Sequence, residues 1–118
     1  MSTSFKDLLV WNASMDYVTS IYEITRDFPD SERFGLASQL QRAAVSVPSN
    51  IAEGSGRYFK KEFVHFLYQA RGSLLETFTQ IEIAFRLGYI TDQIRDQLIE
   101  TGEEISKMLN GLIKSLKD

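Results

Sequence analysis

The tightest constraint on this chain is the run from Lys60 to Leu87. Phe63, Leu67, Ala70, Leu74, Phe78, Ile81 and Phe85 recur at steps of three and four residues, which places them on one face of an α-helix and on neither face of a strand. A helix this long cannot cover its own apolar stripe and must pack against other helices. A second apolar set, Val64, Tyr68 and Leu75, lies roughly 100° further round the wheel. In a four-helix monomer each helix needs one stripe, so this extra set is expected to meet another subunit. Gly88 is expected to end the helix.

Three other segments repeat the period. The first is predicted over Ser4 to Asp27, with Leu8, Trp11, Met15, Val18, Tyr22 and Thr25 as its stripe. Pro29 closes it, because proline disfavours helical geometry in the residue before it, and Ser31 or Asp30 is a candidate cap for the next helix. The second runs from about Arg33 to Ala52, with Leu36, Leu40, Ala43, Val47 and Ile51 facing the core. Pro48 removes one backbone donor there and predicts a kink or local break near Ala44. Gly54 is placed to form a left-handed cap. The fourth begins after Thr91, a favourable cap, with Asp92 at the positive helix end. It carries Ile94, Leu98, Ile105, Met108 or Leu109, Leu112 and Leu116, and ends near Lys114 and Lys117. Short connections make successive helices antiparallel. The expected fold is all-α, a single up-down antiparallel four-helix bundle spanning residues 1–118.

Composition agrees. A chain of 118 residues with 43% hydrophobic and 25% charged residues is long enough for a core without disulfides or metals. The absence of cysteine removes disulfides, thiolate metal sites and cysteine nucleophiles. MSTSFKDLLVWN has no apolar core of signal-peptide length, and no apolar run approaches membrane-spanning length. A cytoplasmic location, with no membrane partner, is expected. The net charge of −3 argues against nucleic-acid binding by the whole surface. Its distribution is uneven: six bases and two acids between Arg33 and Arg71 give that segment +4 and leave −7 elsewhere.

The candidate chemistry is thin. Glu62 and His65 have the Glu-x-x-His spacing of di-iron bundles, but that site needs two such motifs and further glutamates. His65 is the only histidine and shares a polar face with Gln69 and Glu76, so a surface role is the stronger reading. Ser46, Ser49, Ser55 and Ser73 lie in no nucleophile elbow. Gly54-Ser55-Gly56 lacks the preceding strand and the Gly-Lys-Ser/Thr of a phosphate loop, and reads as a helix-helix turn. No enzyme activity, cofactor or metal is expected.

Two constellations remain. Gln39, Arg42, Ser46, Asn50 and Glu53 form a polar line roughly 110° from the core stripe of the second helix. It is either a solvated face or a boundary where helices or subunits meet, with Arg42 and Glu53 supplying charge-assisted bonds. Arg57, Lys60 and Lys61 interleave with Tyr58 and Phe59 at the next turn. Cations and aromatics so arranged can hold phosphates and stack bases, or form a solvated turn whose rings cover the bundle end.

RAAVSVPSNIAEGSGR followed by KKEFVHFL resembles the small bacterial four helix bundle proteins, also called 23S rRNA intervening-sequence proteins. FKDLLVW, IYEIT, ARGSL, TQIEIA, LGYI and ISKMLNGLIKSLK extend the resemblance over nearly the whole chain. It implies an up-down four-helix bundle assembled as a ring-like homopentamer, with some members encoded inside 23S rRNA genes. A related branch serves as an accessory factor to the reverse transcriptase of diversity-generating retroelements. RNA binding, or scaffolding of an RNA-handling partner, is thereby implied, and enzymatic activity is not. Two departures from the pattern stand out. Phe59 stands where the family usually has Ser or Thr, so the capping box with Glu62 is lost. Thr77-Phe78 stands where it usually reads Leu-Glu, which changes polarity on the third helix. The expected function is an oligomeric bundle that binds structured RNA through the basic turn. The rival is a protein-binding scaffold without nucleic acid, and enzyme chemistry comes third.

Overall fold

The computed structural model describes residues 4–118. Within them lie four helices: α1 (Leu9–Thr25), α2 (Leu36–Ser55), α3 (Lys60–Arg86) and α4 (Asp92–Lys117). Each packs on its neighbour in the chain and α4 returns to α1, while the diagonal pairs stay apart. That is the cyclic contact pattern of an up-down bundle, drawn out to 47 × 23 × 20 Å. No strand occurs among the described residues. Residues 1–3 of the expected 1–118 domain lie outside them.

The first helix differs from the expectation. Ser4 caps a separate 3-10 turn at Phe5–Asp7, its hydroxyl accepting from the Lys6 amide. Leu8 is extended, and α1 begins at Leu9. Asn12 makes the break tolerable, because its Nδ2 donates to the carbonyls of Lys6 (2.8 Å) and Leu8 (3.0 Å). The buried stripe of α1 is also rotated by one residue from the expected one. Val10, Ser14, Tyr17 and Ile21 are buried together with the expected Thr25; Leu8, Trp11 and Val18 pack half-buried against the core, and Met15 and Tyr22 are exposed.

The second helix starts at Leu36, after a 3-10 turn at Asp30–Glu32. Neither Ser31 nor Asp30 caps it. Glu32 does so from the preceding turn, its Oε1 accepting from the Leu36 amide at 3.1 Å and its Oε2 accepting from the Tyr89 hydroxyl at 2.9 Å. That second bond raises the Tyr89 pKa above the ordinary phenol value. The helix runs unbroken through Pro48 and continues to Ser55. Gly54 is therefore not a left-handed cap. It lies buried inside the helix, where a Cβ would sit 2.7 Å from Phe66 Cβ and 2.9 Å from Phe63 Cδ1. Glycine is needed there because α3 passes so close.

The third and fourth helices follow the sequence closely. α3 buries Leu67, Ala70, Leu74 and Ile81, and half-buries Phe63, Phe78 and Phe85. Gly88, at φ +80°, ends it. Thr91 caps α4 by accepting from the Ile94 amide. Of the two candidates on α4, Leu109 is buried and Met108 is exposed. At the centre of the bundle, Thr77 and Tyr17 are both fully buried. Thr77 donates to the Leu74 carbonyl, so Tyr17 donates to Thr77 Oγ1 at 2.8 Å, across the diagonal from α1 to α3. Burial pushes the Tyr17 pKa up to about 12.

Candidate nucleic-acid interface

The basic turn is made by the end of α2 and the start of α3. The Gly56 and Arg57 amides fold back onto the carbonyls of Glu53 and Gly54. Phe59 takes the cap position of α3 with extended geometry and no side-chain bond, so the first amides of α3 have no side-chain cap. Tyr58 is 91% exposed, with its ring edge-on to that of Phe59 at 4.8 Å. The rings do not cover the end of the bundle. Both stand in solvent, as do Lys60 and Lys61.

The cations of the turn are not equivalent. Arg57 donates to Glu53 at 2.8 Å, lies 4.0 Å from Glu62, and rests over the Phe66 ring at 4.8 Å. Two carboxylates thus offset its charge. Lys60 and Lys61 have no ion pair among the described residues. The turn offers two free ammonium groups and an exposed tyrosine, with Arg57 held as part of the scaffold.

The polar line on α2 borders α3. Ser46 shares a hydrogen bond of 2.9 Å with Ser73, and Asn50 donates back to the Ser46 carbonyl and hydroxyl. Glu53 is bound to Arg57, so most of the line is engaged within the chain. Arg42 is exposed and lines an open groove of about 540 Å³ with Gln39, Glu76 and Gln80. Gln80 is buried, and its Oε1 has no hydrogen-bond partner. Periodicity missed Gln80 because an amide on a polar flank looks solvated in sequence.

The second apolar set of α3 stays open in the single chain. Val64 is half-buried, Tyr68 is 39% exposed and Leu75 is 53% exposed. Ile83 and Leu87, further round the helix, are exposed too. Tyr68 has cations beside it: Arg71 lies over its ring at 4.8 Å and Lys117 donates to its hydroxyl at 3.4 Å. His65 lies on the surface with its Nε2 3.1 Å from Gln69 Nε2. No group of three or more potential metal ligands converges among the described residues.

The family described as 23S rRNA-intervening sequence protein matches residues 6–111. This chain belongs to that family. A solved structure with the same bundle comes from Bacteroides thetaiotaomicron, described as a protein of unknown function from the S23 ribosomal protein family. It shares 25% sequence identity with this chain at a TM-score of 0.84, covering 92% of this chain and 98% of the other. No curated protein matches. The match to the 23S rRNA-intervening sequence family takes in the basic turn and the outer face of α3. No described helix is long and apolar enough to cross a membrane.

Proposed function

We propose that this 23S rRNA-intervening sequence protein is a non-enzymatic, self-associating bundle that holds structured RNA at its α2–α3 turn. The observation that carries the reading is the turn itself, with Tyr58 almost wholly in water beside the unpaired Lys60 and Lys61. An exposed ring beside free cations suits an unpaired base and its phosphates. The family's description, which places it with intervening sequences of 23S rRNA, supports the choice of RNA.

One copy binds weakly. Neutralising two to three phosphates gives a salt slope of only about −1.5 to −2.5. Repeating the turn around a ring of copies, five if the assembly is a pentamer, raises affinity by orders of magnitude through multivalency. The outer face of α3 is the natural contact between copies, because Tyr68 and Leu75, with half-buried Val64, form an apolar set that the single chain leaves open. The Ser46, Asn50 and Glu53 line lies on the opposite flank of α3, where Ser46 bonds Ser73. The open apolar set also favours the second reading, a protein scaffold without RNA.

Two measurements test this. Light scattering should report an oligomer that Tyr68→Glu/Leu75→Glu breaks into smaller species with helix content kept; a wild-type monomer removes the assembly. Titration with structured RNA at two salt concentrations should show weaker binding and a shallower salt slope for Arg57→Ala/Lys60→Ala/Lys61→Ala. A triple variant indistinguishable from wild type rules out the turn, and no binding by either protein at low salt favours the scaffold.

A further inference from the structure

A second basic cluster lies in the connection between α1 and α2, with different chemistry. Arg26, Arg33 and Arg42 line one cleft of about 620 Å³ together with Phe34 and the first turn of α2 at Ala37 and Ser38. All three arginines are exposed, and none forms an ion pair among the described residues. Asp30 is the one carboxylate in the lining. Glu32, close by, is already engaged by the Leu36 amide and the Tyr89 hydroxyl. Arg57 at the other turn has two carboxylates within 4.0 Å; these three guanidinium groups have none among the described residues, and Glu76 borders Arg42 only in the neighbouring groove.

Phe34 adds the second observation. It is 89% exposed, and the Arg33 guanidinium lies 5.5 Å from its ring centroid. The ring therefore contributes little to the core and has the Arg33 guanidinium over it as a cation partner. One wall is firm, since Gln41 donates to Thr25 Oγ1 at 2.9 Å and so ties α2 to α1. The positive end of α2 lies in the same lining. Guanidinium groups recognise phosphate by forked hydrogen bonds, and an aromatic face stacks any base.

We propose that this cleft binds an unpaired nucleotide, its phosphate held by Arg26, Arg33 and Arg42 and its base stacked on Phe34, either as a free nucleotide or within a single strand. For its biological source the proposal rests on the RNA reading of the α2–α3 turn, but it uses a separate set of residues at another turn. An acidic protein partner would need the arginines and leave Phe34 idle, which makes Phe34 the discriminating side chain.

The test uses the full chain and fluorescence anisotropy with a fluorescein-labelled, mixed-sequence single-stranded RNA. Adenosine monophosphate and inorganic phosphate serve as competitors. The variants are Phe34→Ala, Arg33→Gln and Arg26→Gln/Arg42→Gln, all at exposed positions, with folding checked by circular dichroism. Phe34→Ala should weaken binding by about 5- to 100-fold, and each arginine removed should cut the salt slope by about 0.7. Displacement by adenosine monophosphate but not by phosphate supports the site with a free nucleotide as its source. Binding of the strand alone supports it with a single strand as its source. A Phe34→Ala variant that binds as wild type does, or arginine variants that weaken binding while Phe34→Ala does not, overturns it. RNA binding lost only on substituting Arg57, Lys60 and Lys61 overturns this site and leaves the proposed function standing. Mononucleotide binding without any RNA binding does the reverse.

Discussion

Between α2 and α3 the backbones come close enough that Gly54 has no room for a Cβ against Phe63 and Phe66, and Ser46 bonds Ser73 across the seam. Between α1 and α4 there is instead a cleft of about 240 Å³, lined by Tyr17, Ile24, Ile94 and Leu98 among others. No side-chain hydrogen bond joins α1 to α4 among the described residues. α1 is tied down elsewhere, by Tyr17 reaching across the core to Thr77 and by Gln41 of α2 donating to Thr25. One seam is held by close approach of small residues, the other side by a long side chain spanning a wider gap. The first arrangement punishes added volume, and the second punishes a lost polar partner.

The largest test of that contrast is Thr77→Val. It keeps the shape but leaves the buried Tyr17 hydroxyl unsatisfied, at a cost of about 2–3 kcal/mol. Tyr17→Phe/Thr77→Val should cost less than Thr77→Val alone, because the orphaned group is gone. Denaturation midpoints of the single and double variants decide it. Equal losses would mean that the diagonal bond does not hold α1.

Burial of the same hydroxyl predicts a pH dependence. Tyr17 ionises at about 12 in the folded chain and near the ordinary phenol value of 10.0 when unfolded. The raised pKa means that its contribution is complete below pH 10 and is lost as the pH rises towards 12, on the order of 2 kcal/mol. Stability curves of wild type and Tyr17→Phe should converge over that window. A constant difference would show that the ring ionises freely.

Adding volume tests the opposite side. Gly54→Ala should destabilise by about 1–2 kcal/mol, the steric cost exceeding the gain in helix propensity. Phe66 Cβ is anchored to the backbone and cannot step aside. Gly102→Ala on α4 meets the far edge of the Phe78 ring, which is only half-buried and can swing. It should therefore cost less, and thermal denaturation that ranks Gly102→Ala as the worse variant would reverse the comparison. The smallest effect lies at the open end of the tight seam. Phe59→Ser should create a capping box with Glu62 and stabilise α3 by about 0.5–1 kcal/mol, because Phe59 stands 61% exposed. A lower midpoint in chemical denaturation would show instead that the ring packs.

The apolar period determined four helices and their approximate ends, the residue types at Thr91 and Gly88 marked two of those ends, and the RAAVSVPSNIAEGSGR run carried the resemblance to the family. Helices are local objects, and their signals lie within a few residues of one another. The rotation of α1 was decided only by the tertiary structure. Val10, Ser14, Tyr17, Ile21 and Thr25 look too polar for a core stripe, yet Ser14 and Thr25 bond carbonyls of their own helix and Tyr17 bonds Thr77. A hydroxyl costs little to bury once it has a partner, and that partner can lie 60 residues away. Gly54 reads as a cap from its neighbours in sequence and becomes a close contact only when α3 folds back upon it. Charge divides in the same way. Composition names the arginines, but only the fold sets Arg57 between Glu53 and Glu62 and gathers Arg26, Arg33 and Arg42 around one cleft, because Coulombic compensation depends on distance in space and not on separation along the chain.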